Sequence, residues 1–204
     1  MPFVVVLDAC VLFPASLRDT LLRAAQANLY RVQLTDDILE EVRRNLVKKR
    51  MPEDKAQRLV AAIRENFDDG FVTHYKLLID SMPINNKDRH VLAAAVACGA
   101  EIIVTYNLKD FPRDLLAPFD IKAQSPDDFL VQLFQLNREL MAKVLIKQAG
   151  NLHNPSMTVI EVLEVLKQHV PTFVKMMHHE FDFPNTYLKS TAVEAESDVP
   201  HRGS

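Results

Sequence analysis

The sequence predicts an α/β fold with a central parallel sheet, followed by a helical C-terminal part. The sheet is indicated by a continuously apolar, β-branched run at residues 3–7 and by a second β-branched segment at 101–105, which are typical of buried strands. Segments with apolar residues at helical spacing lie between these runs, which is the pattern of strands joined by crossover helices. Beyond residue 124 only helical patterns occur.

The elements of the first part follow from apolar spacing and end signals. After the strand at 3–7, apolar residues recur at helical spacing over residues 17–29, and a short apolar piece leads to Thr35, which predicts a helix cap. Pro52 opens the next helix, which Gly70 ends. The last three elements before residue 106 are predicted as a strand at 71–75, a helix at 87–98 and the strand at 101–105.

The change of pattern near residue 124 predicts a domain boundary. Ser125 and Pro126 are an N-cap and a first-turn proline, and further helices are predicted at 141–149 and 159–169. Residues 190–204 contain few apolar side chains and are predicted to be a disordered tail. The predicted domains are therefore 1–123, a helical domain at 124–189, and this tail.

Composition excludes several classes of protein. The chain of 204 residues has 24 basic and 27 acidic side chains and only four glycines, so it contains neither a dinucleotide-binding fingerprint nor a Walker-type phosphate loop. Its longest apolar run, 91–98, is far shorter than the roughly 20 residues of a membrane span. No secretory signal is visible, so a cytoplasmic location without membrane partners is expected. Cys10 and Cys98 are predicted to be reduced core thiols.

Acidic side chains follow the predicted strands or begin the predicted helices. Asp8 follows the first strand and Asp110 lies in the loop after the strand that ends at Thr105, whereas Glu41 and Asp88 lie on or beside apolar helix faces. Each acid alone is more often a turn or helix-end residue. If they meet in one crevice, each pair at about 5 Å repels by roughly 3 kcal/mol at an effective dielectric constant of about 20. Such a cluster requires raised pKa values or a bound hard cation, Mg²⁺ or Mn²⁺.

Four blocks of sequence, taken together in order and spacing, resemble the PIN-domain ribonucleases, and among them the VapC-type toxins of bacterial toxin–antitoxin systems. The blocks are VLDACVL at 6–12, ILEEVRRNL at 38–46, DRHVLAAA at 88–95 and IVTYNLKDF at 103–111. The region after residue 123 resembles the helical C-terminal extension of one subgroup of these toxins.

The resemblance implies a PIN-like three-layer domain and a metal-dependent endoribonuclease, the toxin of a type II pair. Asp8, Glu41 and Asp88 match the acids that hold Mg²⁺ or Mn²⁺ in the family. Many relatives carry Asp where this chain has Asn107, so Asp110 is the predicted fourth carboxylate, with Asn107 and the Thr105 hydroxyl in supporting roles. The implied partners are an RNA substrate and a cognate antitoxin; homodimers are common in the family.

A basic segment follows the predicted Glu41 helix. Residues 43–64 contain eight basic and two acidic side chains, so an RNA backbone reaching the acidic crevice would cross this segment. The alternative is an ordinary solvated helix face. The predicted RNA-binding residues are Arg43, Arg44, Lys48, Lys49 and Arg50.

Two other functions are alternatives to the ribonuclease. A haloacid-dehalogenase-like phosphotransferase also places Asp after its first strand, but it needs a second Asp at the position of Cys10. A PIN-fold module that binds RNA or protein without cleavage would be favoured if Asn107 abolished metal binding. His90 and the His178-His179 pair are interpreted as surface histidines, and the two cysteines as packing residues.

Overall fold

A computed structural model describes residues 2–153 and 155–182. The predicted α/β fold is confirmed, since four parallel strands form one sheet in the order β2-β1-β3-β4. The strands are β1 (Val4–Leu7), β2 (Arg31–Gln33), β3 (Ile102–Val104) and β4 (Lys122–Gln124). Val5 lies opposite Val32 on one side and Ile102 on the other, so β1 is an inner strand.

Helices connect the strands and form all of the regular structure described after β4. In the N-terminal part the α-helices are α1 (Ala9–Leu12), α2 (Ala15–Gln26), α3 (Asp36–Lys48), α4 (Glu53–Asn66), α5 (Arg89–Cys98) and α6 (Arg113–Leu116). They are followed by α7 (Pro126–Leu136), α8 (Arg138–Gly150), α9 (Val159–Leu166) and α10 (Pro171–Asp182). Short 3-10 helices lie at Asp68–Gly70, His74–Ser81, Leu108–Asp110 and Ala117–Phe119.

The predicted helix ends are largely confirmed by their hydrogen bonds. The Thr35 side chain accepts from the amide of Ile38 at the start of α3, and Ser125 accepts from the amide of Asp128 at the start of α7. After α2 the chain turns at Asn28, which has the left-handed φ of 58° that asparagine tolerates. The Thr35 and Ser125 caps fix the residues at which α3 and α7 begin.

One predicted element is wrong, and two predicted helices have different bounds. Residues 71–75 do not form a strand: only Phe71 bridges to Leu34, and the chain then enters the 3-10 helix at 74–81, where Tyr75 is buried and its hydroxyl donates to Asp37 over 2.6 Å. The helix predicted at 87–98 begins at Arg89, after Asp88. The helix predicted at 159–169 ends earlier, and α10 and β4 were not predicted.

The sheet is covered on both faces, as the continuously apolar strands require. Val5, Val6 and Leu7 of β1 have no exposed surface, and they belong to one hydrophobic core that also includes apolar residues of the C-terminal helices. Helix α5 contacts β1 and β3, α2 contacts β2, and α8 and α9 both contact α2. The C-terminal helices therefore pack on the first part of the chain.

The domain boundary stays a prediction, although the sheet ends with β4 at Gln124. The predicted tail at 190–204 lies outside the described residues, as do residues 183–189 of the predicted helical domain. Among the helices of the described part, none is long and apolar enough to cross a membrane.

Candidate functional site

The carboxyl ends of the two inner strands open onto a cleft of about 650 Å³. Asp8 directly follows β1 and Thr105 directly follows β3, so the pairing of these strands places both residues at the same edge of the sheet, where Asp8 lines the cleft. The lining residues are Asp8, Asp37, Glu40, Glu41, Arg44, Asn45, Lys48, Lys87, Asp88, His90 and Asn107. The predicted acids Asp8, Glu41 and Asp88 are thus brought together from β1, α3 and the start of α5.

Asp8 is held rigidly by its neighbours. Its backbone amide donates to the Val104 carbonyl over 3.1 Å, and its carboxylate Oδ2 accepts from the Thr105 hydroxyl at 2.6 Å and the Cys10 thiol at 3.0 Å. Asp8 is 5% exposed. One carboxylate oxygen of Asp8 is therefore fixed in place by Thr105 and Cys10, while the supporting role of Thr105 in catalysis stays a prediction.

Cys10 takes part in this network, so its interpretation as a packing residue alone is incomplete. Burial, together with the charge of Asp8, raises the pKa of the Cys10 thiol to about 12. The thiol therefore stays protonated at neutral pH and donates a hydrogen bond to Asp8. Its sulfur also accepts from the Tyr106 amide at 3.3 Å. The backbone amide of Asn107 donates to the Thr105 hydroxyl over 3.0 Å, so the Thr105 side chain shapes the loop after β3. Cys98 lies apart from the cleft and contacts the Ala95 carbonyl, as a packing residue does.

Asp88 precedes α5 at the position of an N-cap, yet its side chain makes no capping hydrogen bond. Asp88 is 7% exposed, and within the described part of the chain its buried Oδ2 accepts no hydrogen bond. Burial raises the pKa of the Asp88 carboxyl, and the nearby charges of Asp110 and Asp8 raise it further, whereas Lys87 lowers it. Asp88 is consequently a buried carboxylate with one oxygen that accepts no hydrogen bond from the described residues.

Asp110 joins the site through Lys87, a residue that the sequence did not single out. Asp110 belongs to the 3-10 helix at Leu108–Asp110, and the Oδ2 of Asp110 is 2.8 Å from the Lys87 Nζ. The same Nζ lies 3.7 Å from Oδ2 of Asp88. Asn107 lines the cleft, whereas Asp110 is not among the described residues that line it.

Glu41 faces His90 across the cleft, which shows that the surface interpretation of His90 is wrong. The His90 side chain is 18% exposed and its Nε2 lies 3.9 Å from the Glu41 carboxylate, without a hydrogen bond. His90 lies on α5 two residues after Asp88, and this spacing from an acid was the one signal for it in the sequence. Asp37 also lines the cleft and was missed because it reads as a helix first-turn acid.

The oxygen ligands in the cleft fit a hard divalent cation, although the described side chains do not form a complete set of ligands. Among residues 2–153 and 155–182, no group of three or more His, Cys, Asp or Glu side chains is close enough to hold a metal ion. Mg²⁺, however, is usually held by only one or two carboxylates, with water and substrate phosphate completing its coordination. The observation that fits such an ion is the buried Oδ2 of Asp88, which accepts no hydrogen bond from the described residues and lies near the charge of Asp8.

The predicted basic residues are not equivalent in the structure. Arg44 and Lys48 line the cleft on α3, the same helix as Glu41. Arg43 instead forms ion pairs with Glu40 and Glu53, so its charge is already compensated. Lys49 and Arg50 are exposed just after α3.

Comparison with known proteins decides the family. The model of the PIN domain matches residues 4–109, just over half of the chain. The chain therefore belongs to the PIN-domain family. The model of the VapC50 C-terminal domain matches residues 126–179.

A relative extends this result. A protein of Mycobacterium tuberculosis, named VapC50 and provisionally designated a ribonuclease, is 45% identical over 103 residues. The match covers 50% of this PIN-domain chain and 61% of that relative, so the alignment spans about three fifths of the relative's length. No solved structure matches the chain significantly.

Proposed function

We propose that this PIN-domain protein is a divalent-cation-dependent endoribonuclease of the VapC type. The single observation that carries the proposal is the pair of buried carboxylates, Asp8 and Asp88, that meet at the carboxyl ends of the inner strands. One oxygen of Asp88 is buried there without a hydrogen-bond partner. The name of the Mycobacterium tuberculosis relative supports the choice of RNA as the substrate.

Asp8 and Asp88 would hold the cation, with Glu41 and Asp110 completing the acidic site. When bound, Mg²⁺ or Mn²⁺ supplies positive charge that offsets the negative charge developing on a phosphodiester under attack by water. Asp8 contributes a rigid oxygen because Thr105 and Cys10 fix its carboxylate. The supporting residues therefore keep the geometry of the site unchanged before substrate arrives.

Substrate RNA would approach along α3. Arg44 and Lys48 lie on the same lip of the cleft as Glu41, where they can contact phosphates on either side of the cleaved bond. Lys49 and Arg50 extend the basic surface beyond the helix. Arg43, which is paired with two glutamates, serves to hold α3 to the start of α4.

The biological role proposed is that of a toxin controlled by an antitoxin protein in the cytoplasm. The similarity to VapC50, in both the PIN domain and the C-terminal domain, supports this role. An antitoxin segment that covers the acidic cleft would keep RNA away from Asp8 and Asp88.

One observation favours the alternative of a PIN-fold module that binds RNA or protein without cleavage. In the described part of the chain, no three potential ligands form a ready cluster, and an amide, Asn107, stands where many relatives have a carboxylate. In this alternative Lys87 would permanently compensate the acids.

Cleavage of total cellular RNA by the purified protein separates the two functions. Reactions contain Mn²⁺, or EDTA, or the Asp8→Asn variant with Mn²⁺. The ribonuclease proposal predicts discrete fragments in the first reaction only. Equal fragment yields from wild type and Asp8→Asn would show a contaminating nuclease, and intact RNA throughout, together with RNA binding that does not depend on Mn²⁺, would favour the non-catalytic module.

A further inference from the structure

Lys87 forms ion pairs with two acids of the proposed metal site. Its Nζ is 2.8 Å from Oδ2 of Asp110 and 3.7 Å from Oδ2 of Asp88, so one ammonium group lies within ion-pair distance of both acids. The Asp88 oxygen that faces it is the buried oxygen that accepts no hydrogen bond. The ammonium thus compensates a carboxylate pair that would otherwise repel across the edge of the cleft.

The two acids and the lysine differ in their freedom to move. The side chains of Asp88 and Asp110 are 10% and 15% exposed, whereas that of Lys87 is 58% exposed. Asp88 directly precedes α5 and Asp110 ends a 3-10 helix, so the backbone around both acids is constrained. Lys87 has a flexible four-carbon stem and an open path to water. The ammonium can therefore leave without any change in the fold.

We propose that Lys87 is a tethered counter-ion that pairs with Asp88 and Asp110 at the edge of the proposed cation site and is displaced from Asp88 when a divalent ion binds. The inference rests on the proposed metal site and adds a regulator of its affinity. With Lys87 in place, an incoming divalent ion must compete with the ammonium group for the Asp88 carboxylate and displace the ammonium from its ion pairs. Lys87 therefore sets the ion concentration at which the site fills.

The consequence is opposite to that of a lysine that helps to build the site. Removal of the ammonium raises the net negative charge of the cleft by one, so the divalent ion should bind more tightly. We expect Lys87→Met to lower the Kd for Mn²⁺ by about tenfold or more, since Lys87 and the ion would stand only a few ångströms apart. A lysine whose role is to contact substrate would leave this Kd unchanged.

The test is isothermal titration of Mn²⁺ into the metal-free full-length protein, without RNA. The matched control is Lys109→Met, which removes the same charge from the neighbouring loop; Lys109 is exposed and, within residues 2–153 and 155–182, forms no ion pair or side-chain hydrogen bond. We expect wild type and Lys109→Met to bind Mn²⁺ with Kd values within about threefold of each other, and Lys87→Met to bind more tightly than both. Thermal melting in EDTA and in Mn²⁺ checks folding: Lys87→Met should melt lower than wild type in EDTA and gain more from Mn²⁺.

The outcomes are distinguishable. Equal Mn²⁺ affinities of wild type and Lys87→Met, with both proteins folded, would overturn the counter-ion role and leave the proposed ribonuclease intact. Weaker Mn²⁺ binding by Lys87→Met would also overturn it. No Mn²⁺ binding by any of the three proteins would overturn both the counter-ion role and the metal-dependent ribonuclease from which it follows.

Discussion

At the scale of single residues, the Thr105 hydroxyl is the strongest support of the candidate site. It is fully buried and donates to the Asp8 carboxylate over 2.6 Å, a bond to a charged group. Thr105→Val keeps the shape of the side chain and removes this donor, so we expect the free energy of unfolding to fall by about 1.5–3 kcal/mol and RNA cleavage to slow. Urea unfolding and initial cleavage rates measure the two effects. Thr105→Ser, which keeps the hydroxyl, should retain most of both; equal losses in both variants would contradict the role of the hydrogen bond.

The buried charge of Asp88 lowers the free energy of unfolding when no cation is bound. Burial raises the pKa of its carboxyl above the ordinary 3.8, so the folded state disfavours the charged form. The charge is thus destabilising above the raised pKa, and this cost disappears as the pH falls through that pKa toward 3.8. In EDTA at neutral pH we expect Asp88→Asn to melt at a higher temperature than wild type, with a difference that shrinks toward pH 4. A lower melting temperature of Asp88→Asn at neutral pH would contradict this explanation.

The sequence predicts those site residues whose position follows from an element end. Asp8 and Thr105 end neighbouring inner strands, so their meeting at the sheet edge could be predicted. Lys87 and His90 could not be assigned, because side-chain direction near the start of α5 depends on where that helix begins. The role of Cys10 depends on its hydrogen bond to Asp8, which the sequence does not reveal.

At the scale of elements, α3 carries Glu41, Arg44 and Lys48 to the cleft, and its start is fixed by the Thr35 cap. Thr35→Ala leaves the amide of Ile38 without its acceptor in a buried setting. We expect a loss of about 1 kcal/mol in the free energy of unfolding, measured by urea denaturation. Thr172→Ala, at an exposed threonine whose side chain makes no hydrogen bond within the described residues, is the control. Equal unfolding midpoints of the two variants would show that the cap does not stabilise α3.

The strand at 71–75 was predicted wrongly because local pattern and tertiary context disagree there. The segment is apolar and β-branched at its start, but only Phe71 finds a strand partner, Leu34 at the end of β2. The burial of Tyr75 and its hydrogen bond to Asp37 then favour a 3-10 helix. The edge strand β4 was missed for the converse reason, since Lys122 and its neighbours carry no apolar run and pair only because β3 offers a free edge.

At the scale of the whole molecule, the C-terminal helices are attached to the PIN-domain part through a buried polar contact. Gln148 of α8 is 2% exposed, accepts from the Thr20 hydroxyl over 2.7 Å and donates to the Ser16 carbonyl. Both partners lie on α2, near the start of the chain. Long-range polar contacts of this kind cannot be predicted from local sequence patterns, whereas the helical character of the C-terminal part could be.

Loss of this contact should lower the free energy of unfolding, while the protein still unfolds in a single cooperative transition. We expect Gln148→Ala to lower the free energy of unfolding by about 1–3 kcal/mol, because buried hydrogen-bonding groups on α2 lose their partner. Calorimetric melting should still show one transition, as for wild type, since α8 and α9 share a core with α2. Gln168→Ala, at an exposed glutamine near the end of α9, is the control. A separate early transition in Gln148→Ala would show that the C-terminal helices unfold independently.

The central claim is that Asp8 and Asp88 bind the cation required for RNA cleavage, and the most direct test is to locate that cation. Anomalous X-ray scattering from crystals of the protein soaked in Mn²⁺ identifies the ion by its own signal. The account predicts a manganese peak in the cleft, within coordination distance of the Asp8 and Asp88 carboxylates, and no such peak in Asp8→Asn. A peak bound elsewhere, or an unchanged peak in Asp8→Asn, would contradict it.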